Sequence, residues 1–307
     1  MNYDLLVFFE EGRQGIDFDI WTEVLSGYFL DFKLEDEGKR KDEKAKKLIQ
    51  DLPKMFEEYR NILTEFELDR LPDISGLPLY SLLLHFEFTL AKPYLSRDDK
   101  IVYPTDNPLR KDKVFKLPMI APSAWKGNLR AAVNLMNTGK DNKDEVIARL
   151  FGSREQDDGG DLKHGRLLFY PTFFTDISRE IINPHDRKKK AGKIPINFEA
   201  VPAGEQGKFT LLYVPYLVLC NISPASEEFR KQVKEDIEVL FCGIPEMMLA
   251  YGFSAKKTSG YGAARDELKL PGKIEFCLVK EESRKEFWRI SDLPKLTETI
   301  WPSGGGN

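Results

Sequence analysis

The chain has 307 residues, 41% hydrophobic and 31% charged, with a formal net charge of -4. That balance suits a folded globular protein of two small domains or of one domain with large insertions. It excludes a molecule whose whole surface is basic, so any anionic polymer would have to be held by local patches. Cys220, Cys242 and Cys277 are far apart, and with His85, His164 and His185 they form no metal-ligand spacing. Reduced thiols in a cytoplasmic protein are the expectation. No cleavable leader and no run of 18 apolar residues are visible, so neither secretion nor membrane spanning is expected.

Residues 1–75 differ from the rest and read as a partly helical N-terminal extension. Asp4 to Glu10 suits a strand, and Leu48, Leu52, Met55, Phe56, Tyr59, Ile62, Leu63 and Phe66 recur at helical spacing. Pro53 kinks that helix or sets its start. A boundary falls near Pro72 to Pro78. Leu79 to Leu90 alternates as a strand, with His85 on its polar face. Residues 91–118 form a long proline- and charge-rich loop carrying a basic group of Arg110, Lys111, Lys113 and Lys116.

Pro122 and Ser123 open a helix that Ser123 can cap. Its apolar stripe is Trp125, Leu129, Val133 and Met136, which assigns Trp125 to core packing. Lys126 and Arg130, four apart, share a neighbouring face. Strands follow at Leu167 to Tyr170 and Phe209 to Val218, then a second long helix capped by Ser226, with Phe229, Val233, Ile237 and Leu240 inward. Lys273 to Val279 is the last strand, and residues 281–307 read as a C-terminal tail.

The densest signal is Tyr251 to Ala264, YGFSAKKTSGYGAA. Glycines at 252, 260 and 262 allow positive φ and close approach, while Lys256, Lys257 and Ser259 supply donors suited to phosphate oxygens. A long hairpin turn with solvated lysines is the plain alternative. No nucleotide-binding P-loop is present, because Gly160 to Arg166 has the glycine spacing but Arg166 where lysine belongs. Arg187, Lys188, Lys189, Lys190 and Lys193 form a further basic run, readable as an RNA-gripping insertion or as a solvated charge run. Asp157, Asp158 and Asp161 lack the calcium-loop pattern and read as an exposed turn.

The element order predicts an α+β fold with a ferredoxin-like (RRM-like) β-α-β-β-α-β core over residues 76–280 and an insertion around 175–205. Four segments, in order, resemble the RAMP superfamily of CRISPR-associated proteins, especially backbone-type subunits of type III effector complexes. They are Asp106 to Asp112 with Pro118 to Arg130; Leu150 to Ser153 with Gly165 to Phe169; Ile182 to Arg187 running to Glu199-Ala200-Val201-Pro202-Ala203-Gly204; and the glycine loop. Ala121 and Trp125 depart from the usual glycine and aliphatic residue of the helix-opening motif.

The resemblance implies guide RNA, target RNA and other effector subunits as partners, in antiviral defence. It implies RNA contacts from Ser123, Lys126, Arg130, Arg187, Lys188, Lys189, Lys256, Lys257, Ser259, Gly260 and Gly262. It also places Asp106 where type III backbone subunits carry an aspartate for target-RNA cleavage with a divalent metal. A carboxylate there could hold hydrated Mg²⁺, with no tightly bound cofactor otherwise implied. A turn-capping role for Asp106 in Thr-Asp-Asn-Pro stands beside that reading.

Overall fold

The computed structural model describes residues 57, 59–97, 107–136, 142–152, 164–182, 185–186, 191–192, 196–215, 226–277 and 282–300. These belong to one compact unit, Lys54–Asp98 with Asn107–Asn307; a second unit, Met1–Pro53 with Asp99–Asp106, lies outside the described residues. So do the proposed strand at Asp4 to Glu10, the start of the N-terminal helix, and the aspartates at 157, 158 and 161.

The main sheet has five antiparallel strands. They are β1 (Leu82–Thr89), β3 (Leu167–Phe169), β9 (Gln206–Tyr213), β10 (Glu267–Cys277) and β11 (Glu282–Arg289), in the order β11-β10-β1-β9-β3. Helix α1 (Pro122–Leu135) joins β1 to β3, and α3 (Glu227–Pro245) joins β9 to β10. An α+β architecture with an antiparallel sheet is thus what the chain adopts. Short pairs flank it: β2 (Met119–Ile120) with β4 (Thr172–Phe173), β5 (Ser178–Ile182) with β8 (Ile196–Ala200), and β6 (His185–Asp186) with β7 (Ala191–Gly192).

Alternation in β1 divides the two faces of the sheet. Leu82, Leu84, Phe86 and Phe88 point into one core with Trp125, Leu129, Phe229, Val233, Ile237 and Leu240. On the other face Leu83 meets Leu212, Val214 and Ile74 in a small second cluster, with Leu77 packed against it. Residues 69–77 therefore lie over part of the face away from the helices, with Asp69 paired to Lys208 on β9 and the Ile74 carbonyl accepting from Cys277 Sγ on β10.

Helix α3 starts as its sequence predicts: Ser226 Oγ accepts from the Phe229 amide at 3.2 Å. Helix α1 does not. Pro122 takes the first helical position, which forces extended backbone on Ala121 (ψ 150°) and makes it the N-cap, leaving Ser123 inside the first turn with no capping bond. The C-terminal region also departs from the expected tail. β11 pairs with β10, and Phe287, Ile290 and Leu293, at the start of helix α4 (Leu293–Ile300), are buried in the main core.

A second helix, α2 (Lys143–Phe151), ends at Gly152, and Gly165 passes so close that an added Cβ would lie 2.5 Å from Leu150 O. Next to it Arg166 Nη1 donates to Asp236 Oδ2 at 2.6 Å, Arg149 Nε donates to Oδ1 at 3.0 Å, and Tyr213 Oη donates to Oδ2 at 2.9 Å. Asp236 is fully buried. This charged knot ties α2, α3, β9 and the approach to β3 together. Arg166, which imitates a defective P-loop in sequence, is thus a packing residue.

Candidate nucleic-acid interface

The glycine loop begins where α3 changes winding. Pro245 lacks an amide hydrogen, and the chain continues as a π-helical turn, Glu246–Tyr251, before Gly252. Phe253 N–H donates to Gly262 O at 3.0 Å, closing the loop, and Gly262 has φ of 67° with room for a Cβ blocked by Ser254 at 2.2 Å. Ser254 Oγ in turn bridges Leu95, accepting from its amide at 2.7 Å and donating to its carbonyl at 2.9 Å. Backbone geometry, rather than an open amide cradle, is what these glycines provide.

The loop amides are used internally. Gly262 N–H donates to Pro93 O, Gly260 N–H to Lys257 O and Ser259 N–H to Lys256 O. The N–H groups of Gly260 and Gly262 are thus engaged within the protein, and both glycines, at positive φ, shape the turn. What the loop presents outward is side chain: Lys256, Thr258 and Ser259 are exposed and Lys257 is half-buried.

Lys257 Nζ donates to Asn128 Oδ1, while Asn128 Nδ2 donates to Phe253 O at 3.0 Å, so one α1 amide docks the whole loop on the helix. Burial lowers the Lys257 pKa. Lys256 adopts φ of 58°, and its ammonium sits 5.0 Å from the Phe198 ring centre on β8. Tyr261 Oη donates to Glu180 on β5 at 3.4 Å. The hairpin of the insertion thus packs directly against the glycine loop. Asn128 and Phe198 carry no sequence motif of their own, although Asn128 lies two residues from each of Lys126 and Arg130.

Those two positions do not share the Asn128 face. At about 100° per residue, Lys126 and Arg130 each lie roughly 160° from Asn128 around α1, on the other flank of the buried Trp125–Leu129 stripe. Trp125 is core, as its spacing predicts: its Nε1 donates to Thr172 Oγ1 at 3.0 Å and its ring lies 4.7 Å from that of Phe253. Asp106 and Arg187, Lys188 and Lys189 lie outside the described residues.

The basic group in the long loop separates by burial. Lys111 is buried and its Nζ donates to Glu199 Oε2 at 3.0 Å, the same oxygen that accepts from the Leu109 amide at 3.1 Å. Glu199 N–H donates to Asn107 O at 3.1 Å. Two positions far apart in sequence, the Asn107 to Lys111 segment and Glu199, are therefore one structural joint. Lys111 belongs to that joint and not to a solvent-facing basic patch.

His85 is half-buried, shares a 2.9 Å hydrogen bond with Thr210 Oγ1, and is pushed down to about 4 by burial first and then by Lys208 and Lys273. An imidazole so hard to protonate is a poor acid near neutrality. Among the described residues no group of three His, Cys, Asp or Glu side chains could hold a metal ion. No described helix is long and apolar enough to cross a membrane.

An antiparallel sheet backed by helices, with a lysine-bearing glycine loop seated on the first of them, is the class of domain these observations define. Residues 76–265, more than half of the chain, match the RAMP superfamily, and the chain belongs to it. No curated protein matches it. Among solved structures it is similar to a chain of the type III-B Cmr-beta complex bound to cognate target RNA, determined by cryo-EM. The identity is 15%, the match covers 87% of this chain and 74% of that one, and the TM-score is 0.40. It is also similar to a chain of a type IV-B CRISPR complex, at 14% identity, 60% and 89% coverage and a TM-score of 0.37.

Proposed function

We propose that this RAMP protein is an RNA-binding subunit of a CRISPR effector complex, of the type III backbone kind, which holds guide RNA and helps position target RNA in antiviral defence. The succession β1, α1, β3, β9, α3, β10 with sheet order β10-β1-β9-β3 supports a ferredoxin-like core for that role. The observation that carries the reading is the state of Lys256 and Lys257. Both are held by neutral groups, the Phe198 ring and the Asn128 amide, and among the described residues neither pairs with a carboxylate. Their charge is therefore left for an external anion, and backbone contacts of this kind fit a protein that leaves sequence reading to base pairing.

Ser123, Lys126 and Arg130 would contact the strand from the other flank of α1, and Arg187, Lys188 and Lys189 from the insertion. The test is single-stranded RNA binding by fluorescence anisotropy across a salt series. Each of Lys256→Ala and Lys257→Ala should flatten the slope of log affinity against log salt by about 0.7, the value for one phosphate contact on a single strand. Absence of RNA binding by the intact protein would overturn the reading.

Target-RNA cleavage through Asp106 with Mg²⁺ is a second reading. The likeness of Asp106 to Asp112 to the loop of the superfamily that residues 76–265 match favours it, because a carboxylate there can hold a hydrated divalent metal beside a phosphate. Mg²⁺-dependent cleavage of matched target in a guide-loaded complex, lost in Asp106→Ala with RNA binding intact, is the expected outcome. Cleavage persisting in that variant would remove it.

A further inference from the structure

Between the C-terminal half of α1 and the π-helical turn lies a groove of about 300 Å³ whose lining includes Asn128, Ala131, Leu135, Tyr251, Lys257 and Thr258. Two features set it apart from a chance surface dent. Leu135 and Tyr251 are both exposed large apolar side chains, at 65% and 36%, and they border the same hollow. The other end is polar: Lys257, already fixed by Asn128, and the Thr258 hydroxyl stand beside them. An apolar platform with an aromatic ring next to a positioned cation and a hydroxyl is the chemistry that holds a base by its face and the adjoining phosphate by charge. The volume stands at the lower end for small-ligand sites and is too small for a packed protein helix some 10 Å across.

We propose that this groove takes one unpaired nucleotide of a bound RNA strand, its base against Tyr251 and Leu135 and its phosphate on Lys257 and Thr258. The proposal rests on the RNA-binding reading above and gives that surface a second, non-ionic component. Lys257 links the two: it is the last cation of the backbone-binding loop and the first wall of the nucleotide groove. Tyr251 reaches the groove because the π-helical turn sets its direction, and the Lys257–Asn128 bond keeps the wall in place. A contact through the base face accepts any base, so the groove would register that a nucleotide is unpaired rather than which one it is.

The experiment measures affinity of the full chain for a short single-stranded RNA across a salt series, for wild type, Tyr251→Ala, Tyr251→Trp and Lys257→Ala. Tyr251→Ala should weaken binding roughly 5- to 100-fold, the effect of losing one stacked base, with the salt slope unchanged. Tyr251→Trp should restore it, and Lys257→Ala should flatten the slope. A strand carrying 4-thiouridine should crosslink on irradiation within Glu246 to Thr258. RNA binding that is intact in wild type and equal in Tyr251→Ala would overturn the groove while leaving the RNA-binding reading standing; no binding by wild type would instead remove that reading. Adenosine monophosphate bound as tightly as the oligonucleotide would overturn the assignment to a strand.

Discussion

Two cationic regions of this molecule use the same residue types to opposite ends. Around Asp236, Arg149 and Arg166 are paired to carboxylates and buried or nearly so, with Glu145 and Glu235 also bound to Arg149. In the glycine loop Lys256 and Lys257 are held by a ring and an amide. The partner, not the cation, decides the role: a carboxylate consumes the charge in folding, while a neutral holder fixes position and leaves the charge available. Lys111 with Glu199 falls on the first side of that divide although its sequence neighbours suggest the second.

The largest expected effect breaks the first region. Asp236→Ala leaves two guanidiniums without their shared anion and should cost about 3–5 kcal/mol, read from urea unfolding, with RNA affinity per folded molecule unchanged. A change in that affinity would show that the regions are not separate. Glu199→Ala should cost a similar or slightly smaller amount, because one buried cation rather than two loses a carboxylate, and hydrogen exchange at the Leu109 amide should accelerate.

Gly262→Ala should cost about 1–3 kcal/mol for its positive φ, and more if Ser254 cannot yield. Because the loop carries both lysines, this variant should also weaken RNA binding, which Asp236→Ala should not.

His85 offers a pH test of the sheet face. Its folded pKa of about 4 lies below the unfolded value of 6.5, so the neutral ring stabilises the fold above pH 6.5, and that contribution is lost as pH falls toward 4. With the group partly solvated, about 1–2 kcal/mol should disappear across that window, and His85→Gln should remove this slope from melting temperatures measured between pH 4 and 7. The smallest stability effect belongs to Lys256→Ala, within about 0.5 kcal/mol, and it sharpens the comparison by pairing negligible unfolding with a clear loss of salt-dependent binding.

Much of the core was legible in sequence because burial imposes a period. Leu82 to Phe88 alternate, Trp125, Leu129 and Val133 recur by helical steps, and Ser226 stands where a cap is needed. β11 escaped because Glu282 to Arg289 carries charges at most positions, which protects an edge strand from pairing but erases the apolar alternation. Ser123 misled because proline takes the first helical position, which moves the N-cap back to Ala121 and leaves the serine inside the first turn. For the site, the glycines announce the loop, but what docks it does not announce itself: Asn128 and Phe198 act through contacts across 129 and 58 residues of chain, taking Asn128 to Lys257 and Phe198 to Lys256. Lys126 and Arg130 appeared to belong with that loop because linear spacing along a helix says which residues share a face, not which face a distant loop will meet.

The wide turn from Glu246 to Tyr251 holds more residues per revolution than an α-helix. Removing one residue there would let the segment rewind as ordinary α-helix while Gly252 and the loop beyond it keep nearly their present direction, since the wide turn is an α turn with one residue added. The turn is thus a place where chain length can change by one without re-aiming the loop that follows.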